Sequence, residues 1–92
     1  MRLIDFKLST VDLNRQLPLY WEVDAEIQPI QDLRWHDKQL LLVTNPKTTP
    51  LTLDQFFART QQLNGQAPLL VAATSVIPIF GYRLSEQRLL LG

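Results

Sequence analysis

The chain has 92 residues with nine basic and nine acidic side chains, no cysteine, and a hydrophobic fraction of 46%. The apolar content excludes a disordered tail, and the balanced charge excludes a surface that gathers phosphate by net charge. The missing cysteine excludes disulfides, thiolate metal sites and cysteine nucleophiles.

A chain of this length is expected to form one small domain, residues 1–92, burying only about 60–65% of the surface its unfolded form exposes. Asp5 interrupts the apolar core that a signal peptide would need, so a cytoplasmic protein is the expectation. The most apolar window, Ala67 to Phe80, contains two prolines and is too short to span a bilayer, so no membrane association is expected.

Ile4, Phe6 and Leu8 alternate with Asp5, Lys7 and Ser9, which predicts a first strand. Residues 10–16 read as a bulge, turn or short helix. From Leu17 the alternation is clearest, with Leu19, Trp21, Val23, Ala25 and Ile27 opposite Tyr20, Glu22, Asp24 and Glu26, and predicts one long half-buried strand. Pro29 ends its regular pairing, because proline cannot donate to a ladder. A hairpin follows, with Leu33 and Trp35 in one arm and Leu40 to Val43 in the other.

The connector Asn45 to Pro50 leads to a fully written helix start. Thr52 caps it, Gln55 completes a capping box, and Leu51 can staple against Phe56. Leu53, Phe56, Phe57, Thr60 and Leu63 recur at helical spacing, predicting a helix from Thr52 to Asn64 that is closed by a left-handed Asn64-Gly65. Leu69 to Ala73 reads as a buried strand running parallel to that at Leu40 to Val43, because strand, helix, strand is the grammar of a crossover. A second hairpin, Ile77 to Leu84 and Arg88 to Leu91, ends the reading.

Two stretches organise this pattern. Pro29 to Leu42 and Pro78 to Leu91 match at constant offset through Pro29/Pro78, Ile30/Ile79, Arg34/Arg83 and the leucine triplets 40–42 and 89–91. The match is short and leucine-rich hairpins converge easily, so duplication and coincidence are both open. The triplets make both faces of their strands apolar. Cover comes either from a second copy in a homodimer, the favoured reading, or from a sheet that curls until the hairpins face each other.

The residues with chemical potential are few. His36 beside Asp37 looks like an acid/base couple, but neighbouring side chains in an extended chain point apart, and Asp37 suits a turn. Glu22, Asp24 and Glu26 fit a solvated strand face better than a cation site, since same-face positions are ~6.6 Å apart. Tyr20, Arg34, Tyr82 and Arg83 form the candidate interaction surface, whether for protein or for stacked bases beside arginine. No catalytic residue, cofactor or metal site is assigned.

The fold class is therefore α+β: a mostly antiparallel sheet of five to seven strands, mixed where the crossover pairs parallel strands, with one helix packed on one face. The expected core is Ile4, Phe6, Trp21, Val23, Leu33, Trp35, Leu41, Val43, Phe56, Phe57, Leu63, Leu70, Val71, Ile79 and Leu90. The expected function is a small non-catalytic protein-interaction module of unidentified partner. The alternatives are a small nucleic-acid-binding domain and, less favoured, a small enzyme using Glu22, Asp24 and His36.

Overall fold

Leu3, Phe6, Thr10, Leu13, Asn14, Gln16, Pro18 and Leu19 recur as Leu53, Phe56, Thr60, Leu63, Asn64, Gln66, Pro68 and Leu69, at an offset one residue longer than that of the hairpins. In the computed structural model, which describes Met1–Gly92, this recurrence is a repeated structure. The first copy is helix α1 (Leu3–Thr10) and strands β1 (Leu19–Val23), β2 (Glu26–His36) and β3 (Gln39–Thr44). The second is α2 (Leu53–Arg59), β4 (Leu69–Ala72), β5 (Val76–Pro78), β6 (Tyr82–Ser85) and β7 (Arg88–Leu91). β5 and β6 together correspond to β2, interrupted at residues 79–81.

The expected first strand is thus a helix, and the molecule has two helices rather than one. The alternation of Ile4, Phe6 and Leu8 misleads because burial follows the helical period: Leu3, Phe6 and Thr10 are buried while Leu8 is 68% exposed. The Asp5 carboxylate holds the helix start by accepting the Arg2 backbone N–H at 3.1 Å. Arginine has no acceptor to return the favour, so only half of a capping box forms. At α2 the box is complete: Thr52 Oγ1 accepts the Gln55 N–H and Gln55 Oε1 accepts the Thr52 N–H, at 3.2 and 2.9 Å.

α2 stops at Arg59 rather than Asn64, and no glycine has positive φ. Asn64 instead closes a turn with its side chain, Oδ1 accepting the Gln66 N–H as Asn14 Oδ1 does for Gln16. Gly65 serves close approach: its carbonyl accepts the Ile4 N–H, and a Cβ there would lie 3.0 Å from the Ile4 Cβ.

The long strand expected from Leu17 to Ile27 is a hairpin. Asp24 and Ala25, with φ of 50° and 65°, turn β1 into antiparallel β2. Pairing with β1 does end at Pro29, opposite Tyr20, after which β2 bulges between Ile30 and Asp32 and pairs with β3. The other two hairpins turn at Asp37-Lys38 and Glu86-Gln87, again with positive φ at both central residues.

The seven strands are ordered β5-β4-β3-β2-β1-β7-β6, with β3 parallel to β4, β1 parallel to β7 and the rest antiparallel. β2 carries the sheet round one corner. At the other, Ile79 donates to the Leu69 carbonyl next to β4 while Gly81 and Gly92 exchange hydrogen bonds beside β7, so the sheet curls back towards closure. The copies interlock. Leu3 and Ile4 donate to the carbonyls of Ala67 and Gly65, and Leu53 and Asp54 donate to those of Leu17 and Arg15. Each helix start is therefore satisfied by the loop of the other copy.

The core gathers inside the curl. Phe6 and Phe56, both fully buried, meet edge to face with centroids 5.0 Å apart at the centre of the repeat. The buried hydroxyls of Thr10 and Thr60 donate to the carbonyls of Phe6 and Phe56 at 2.7 and 2.8 Å, which removes the cost of an unpaired polar group. Of the expected core, Phe6, Trp21, Phe56, Leu70, Val71, Ile79 and Leu90 are buried, whereas Ile4, Val23, Leu33, Leu41, Val43, Phe57 and Leu63 are half-buried. Trp35 is 43% exposed: its register partner Leu40 is in the core, but the position lies at the end of β2 where the wall runs out.

In β3 the inward residues are Leu40 and Leu42, not Leu41 and Val43. Leu89 and Leu91 face the core and Leu90, on the opposite face, is still only 2% exposed. The curl covers the inward leucines, and Tyr20 and Arg83 flank the outward Leu90, whereas the outward Leu41 stays half-buried.

Candidate interaction face

β2 is eleven residues long and separates the groups suggested for an enzyme: Asp24 lies in the turn at its start and His36, exposed, at its end. The carboxylates of Glu22, Asp24 and Glu26 do not share a strand face, because the turn falls between them, and Glu22 is engaged elsewhere. Arg83 Nε and Nη2 donate to its two carboxylate oxygens at 3.0 and 2.6 Å. That bidentate bond holds the Glu22 carboxyl below the usual glutamate range and raises the Arg83 guanidinium further. No three His, Cys, Asp or Glu side chains converge anywhere in the chain.

The four candidate surface residues are divided. Tyr20 and Arg83 flank Leu90 on one outer face, Tyr20 as its partner in β1 and Arg83 in β6. The Arg88 guanidinium lies 5.8 Å from the Tyr20 ring. Tyr82 turns inward: its ring meets Phe6 edge to face at 5.5 Å and its hydroxyl donates to the Ser9 carbonyl at 3.1 Å. Arg34 is the repeat counterpart of Arg83 and stands on the opposite side, in the row Arg34, Leu41, Leu70, Pro78 across β2, β3, β4 and β5.

That row belongs to the most apolar outer surface of the molecule. Beside it runs Asp32, Val43, Ala72 and Val76. Along β5 and just past it, Val76 and Phe80 are 55% and 80% exposed, with Pro78 exposed between them. The counterparts of Leu70, Ala72 and Phe80 on the other side are Tyr20, Glu22 and Gln31, so that face is more polar, although Ile27 and Pro29 stand where Val76 and Pro78 do. On the apolar side the polar groups lie at one margin. Arg59 binds Asp32, which also accepts the Leu33 N–H at 2.8 Å, and these bonds lower the Asp32 carboxyl below its usual range. Arg34, exposed, makes no salt bridge.

The sequence points to Arg34 but not to this face, because Pro78 and Phe80 fall in an arm of the expected hairpin and Val76 lies just before it. Their period of two, with Ile77 and Ile79 facing the other way, is the signal that finds it. A second feature is a cleft of about 660 Å³ between the loop after α1 and the β6–β7 turn, lined by Leu13, Asn14, Gln16, Leu17, Leu84 and Glu86 among others. The polar connector Asn45 to Pro50 is pinned by its own turn: the Asn45 N–H donates to the Pro29 carbonyl and its Oδ1 accepts the Lys47 N–H at 3.0 Å.

No helix is long and apolar enough to cross a membrane. No protein-family model, curated protein or solved structure matches the chain.

Proposed function

We propose that the chain is a small non-catalytic, cytoplasmic protein-interaction module that binds through the outer face of β3, β4 and β5. The observation that carries this reading is the run of Val76, Pro78 and Phe80, three alternate apolar side chains presented to solvent beside Leu41, Val43 and Leu70. An exposed phenylalanine at the edge of an apolar sheet face has no role in this chain's own core, and contiguous apolar surface of this kind marks contact sites.

A photo-crosslinking residue placed at Phe80, and separately at its counterpart Gln31, tests the reading in cells. A discrete protein adduct at position 80 that is missing at 31 supports it; adducts at neither position, or equally at both, overturn it. Homodimerisation is the simplest form of the same reading, and an adduct of twice the chain mass identifies it. Nucleic-acid binding would instead appear as oligonucleotide affinity that falls steeply with salt.

A further inference from the structure

Comparing the two outer faces narrows the partner's chemistry. On the β1–β7 side, the arginine of the repeat, Arg83, is held by Glu22, and the pair flanks Leu90, which is 2% exposed. On the β3–β4 side the counterpart arginine, Arg34, flanks Leu41, but the position of Glu22 is occupied by Ala72 and that of Gly92 by Val43. The nearest carboxylate on its face, Asp32, is two residues away along β2; it feels the Arg34 charge but spends its hydrogen bonds on Arg59 and the Leu33 N–H. The next outward position is His36, with Lys38 in the turn beyond, so Arg34 faces no free acid from its own strand.

We infer that this face takes a segment of a partner protein carrying an aspartate or glutamate beside apolar side chains, with Arg34 receiving the carboxylate. The inference rests on the interaction-module reading above and adds the partner's chemistry to it. The carboxylate does from outside what Glu22 does from within on the other side: it meets the guanidinium in a charge-assisted, bidentate bond next to a leucine of the sheet. The apolar residues of the segment lie over the half-buried Leu41 and the exposed Pro78 and Phe80, with buried Leu70 beneath them. From β2 to β5 is three strand spacings, ~14 Å, a distance that an extended segment of about four or five residues covers.

The test is selection of a random linear peptide library on the immobilised full-length chain, followed by fluorescence polarisation with the synthetic peptides selected. The expected binders contain Asp or Glu flanked by apolar residues and weaken as salt rises. Arg34→Ala lowers their affinity at least ten-fold, Phe80→Ser lowers it as well, and Arg34→Glu selects peptides bearing Lys or Arg instead. Both residues replaced are exposed in the free protein, and an unchanged thermal unfolding curve confirms that the three variants fold. Binders that need Phe80 but are indifferent to Arg34→Ala overturn this inference and leave the interaction module standing. Failure to select any binder, or binders indifferent to both changes, overturns both. A self-associated form that Phe80→Ser disperses and Arg34→Ala leaves intact also overturns the acidic-segment inference.

Discussion

The two outer faces of the curled sheet are built on the same repeat and have been finished differently. On the β1–β7 side, charged and aromatic groups close the surface in pairs, Glu22 with Arg83 and Tyr20 with Arg88. On the β3–β4 side the corresponding Leu70, Ala72 and Arg34 leave an apolar field with an unpaired cation at its margin. The interior shows the opposite tendency, since the buried contacts of the two copies are nearly interchangeable: Phe6 with Phe56, Thr10 with Thr60, Leu19 with Leu69. Shared packing fixes the frame and leaves the outward positions free to differ, so difference between equivalent outward positions is where function is to be sought.

The strongest test of interior equivalence is Phe6→Ala against Phe56→Ala. Each removes a fully buried ring from the same contact and should cost about 3–5 kcal/mol, read as a lower urea midpoint at unchanged slope. Phe6→Ala should be the costlier, because its ring also supports Tyr82, whose counterpart in the first copy is Leu33. Equal losses would mean that the Tyr82 contact contributes nothing.

The helix caps break the symmetry by a smaller amount. Thr52→Ala removes a hydroxyl that accepts a first-turn N–H and should cost about 0.5–2 kcal/mol. Arg2→Ala should cost less, since the Arg2 side chain caps nothing and the Asp5 carboxylate still accepts the backbone N–H of residue 2. Reversal of that order in the urea midpoints would show that the bonds the Arg2 guanidinium donates to Asp5 and to Gln66 Oε1 outweigh the cap.

The two related turns offer a third comparison. Lys38 and Gln87, second central residues of their hairpins, both have φ of 61° without being glycine. Replacing either by glycine relieves the left-handed strain and should raise stability by up to about 1 kcal/mol, the gain being limited by the greater freedom of glycine in the unfolded chain. A loss at one turn only would reveal a side-chain role there.

The smallest expected effect concerns pH. Because the Arg83 bond lowers the Glu22 carboxyl below its ordinary value of 4.5, the pair contributes stability above that value and loses it as pH falls through the folded-state value. Glu22→Gln should flatten the thermal stability curve slightly in that acidic range, modestly because both groups are solvated. Arg34→Gln, on the side without a carboxylate partner, should leave the curve's shape nearly unchanged.

The fold was legible where local chemistry and tertiary packing agree. Thr52 and Gln55 announced α2, the parallel pairing of β3 and β4 followed from the crossover, and seven strands in a mixed sheet fell within the expected range. It was illegible where they diverge. α1 begins at an arginine and its apolar residues alternate for six positions by accident; only its likeness to α2 at the shifted offset betrays it. The β1–β2 turn uses alanine at φ 65°, a residue with no turn signature, so one hairpin read as one strand. Of the four surface candidates, Tyr20, Arg34 and Arg83 lie on outer faces, but Tyr82 aims inward because the break between β5 and β6 shifts the alternation.

The exchange of backbone bonds between each helix start and the other copy's loop bears on how the chain reaches this structure. During synthesis the first copy emerges with Leu3 and Ile4 lacking the carbonyls of Ala67 and Gly65, and with β1 lacking β7. It cannot complete itself, however well its own hairpins form. Closing β1 onto β7 joins Leu19 to Leu89 across most of the chain, a loop whose entropy is lost before its contacts repay it. The nascent chain therefore carries exposed apolar rows until β7 has been made, and two completed chains that meet before β1 closes onto β7 can exchange halves, each lending the other the strand and the loop that its first copy needs.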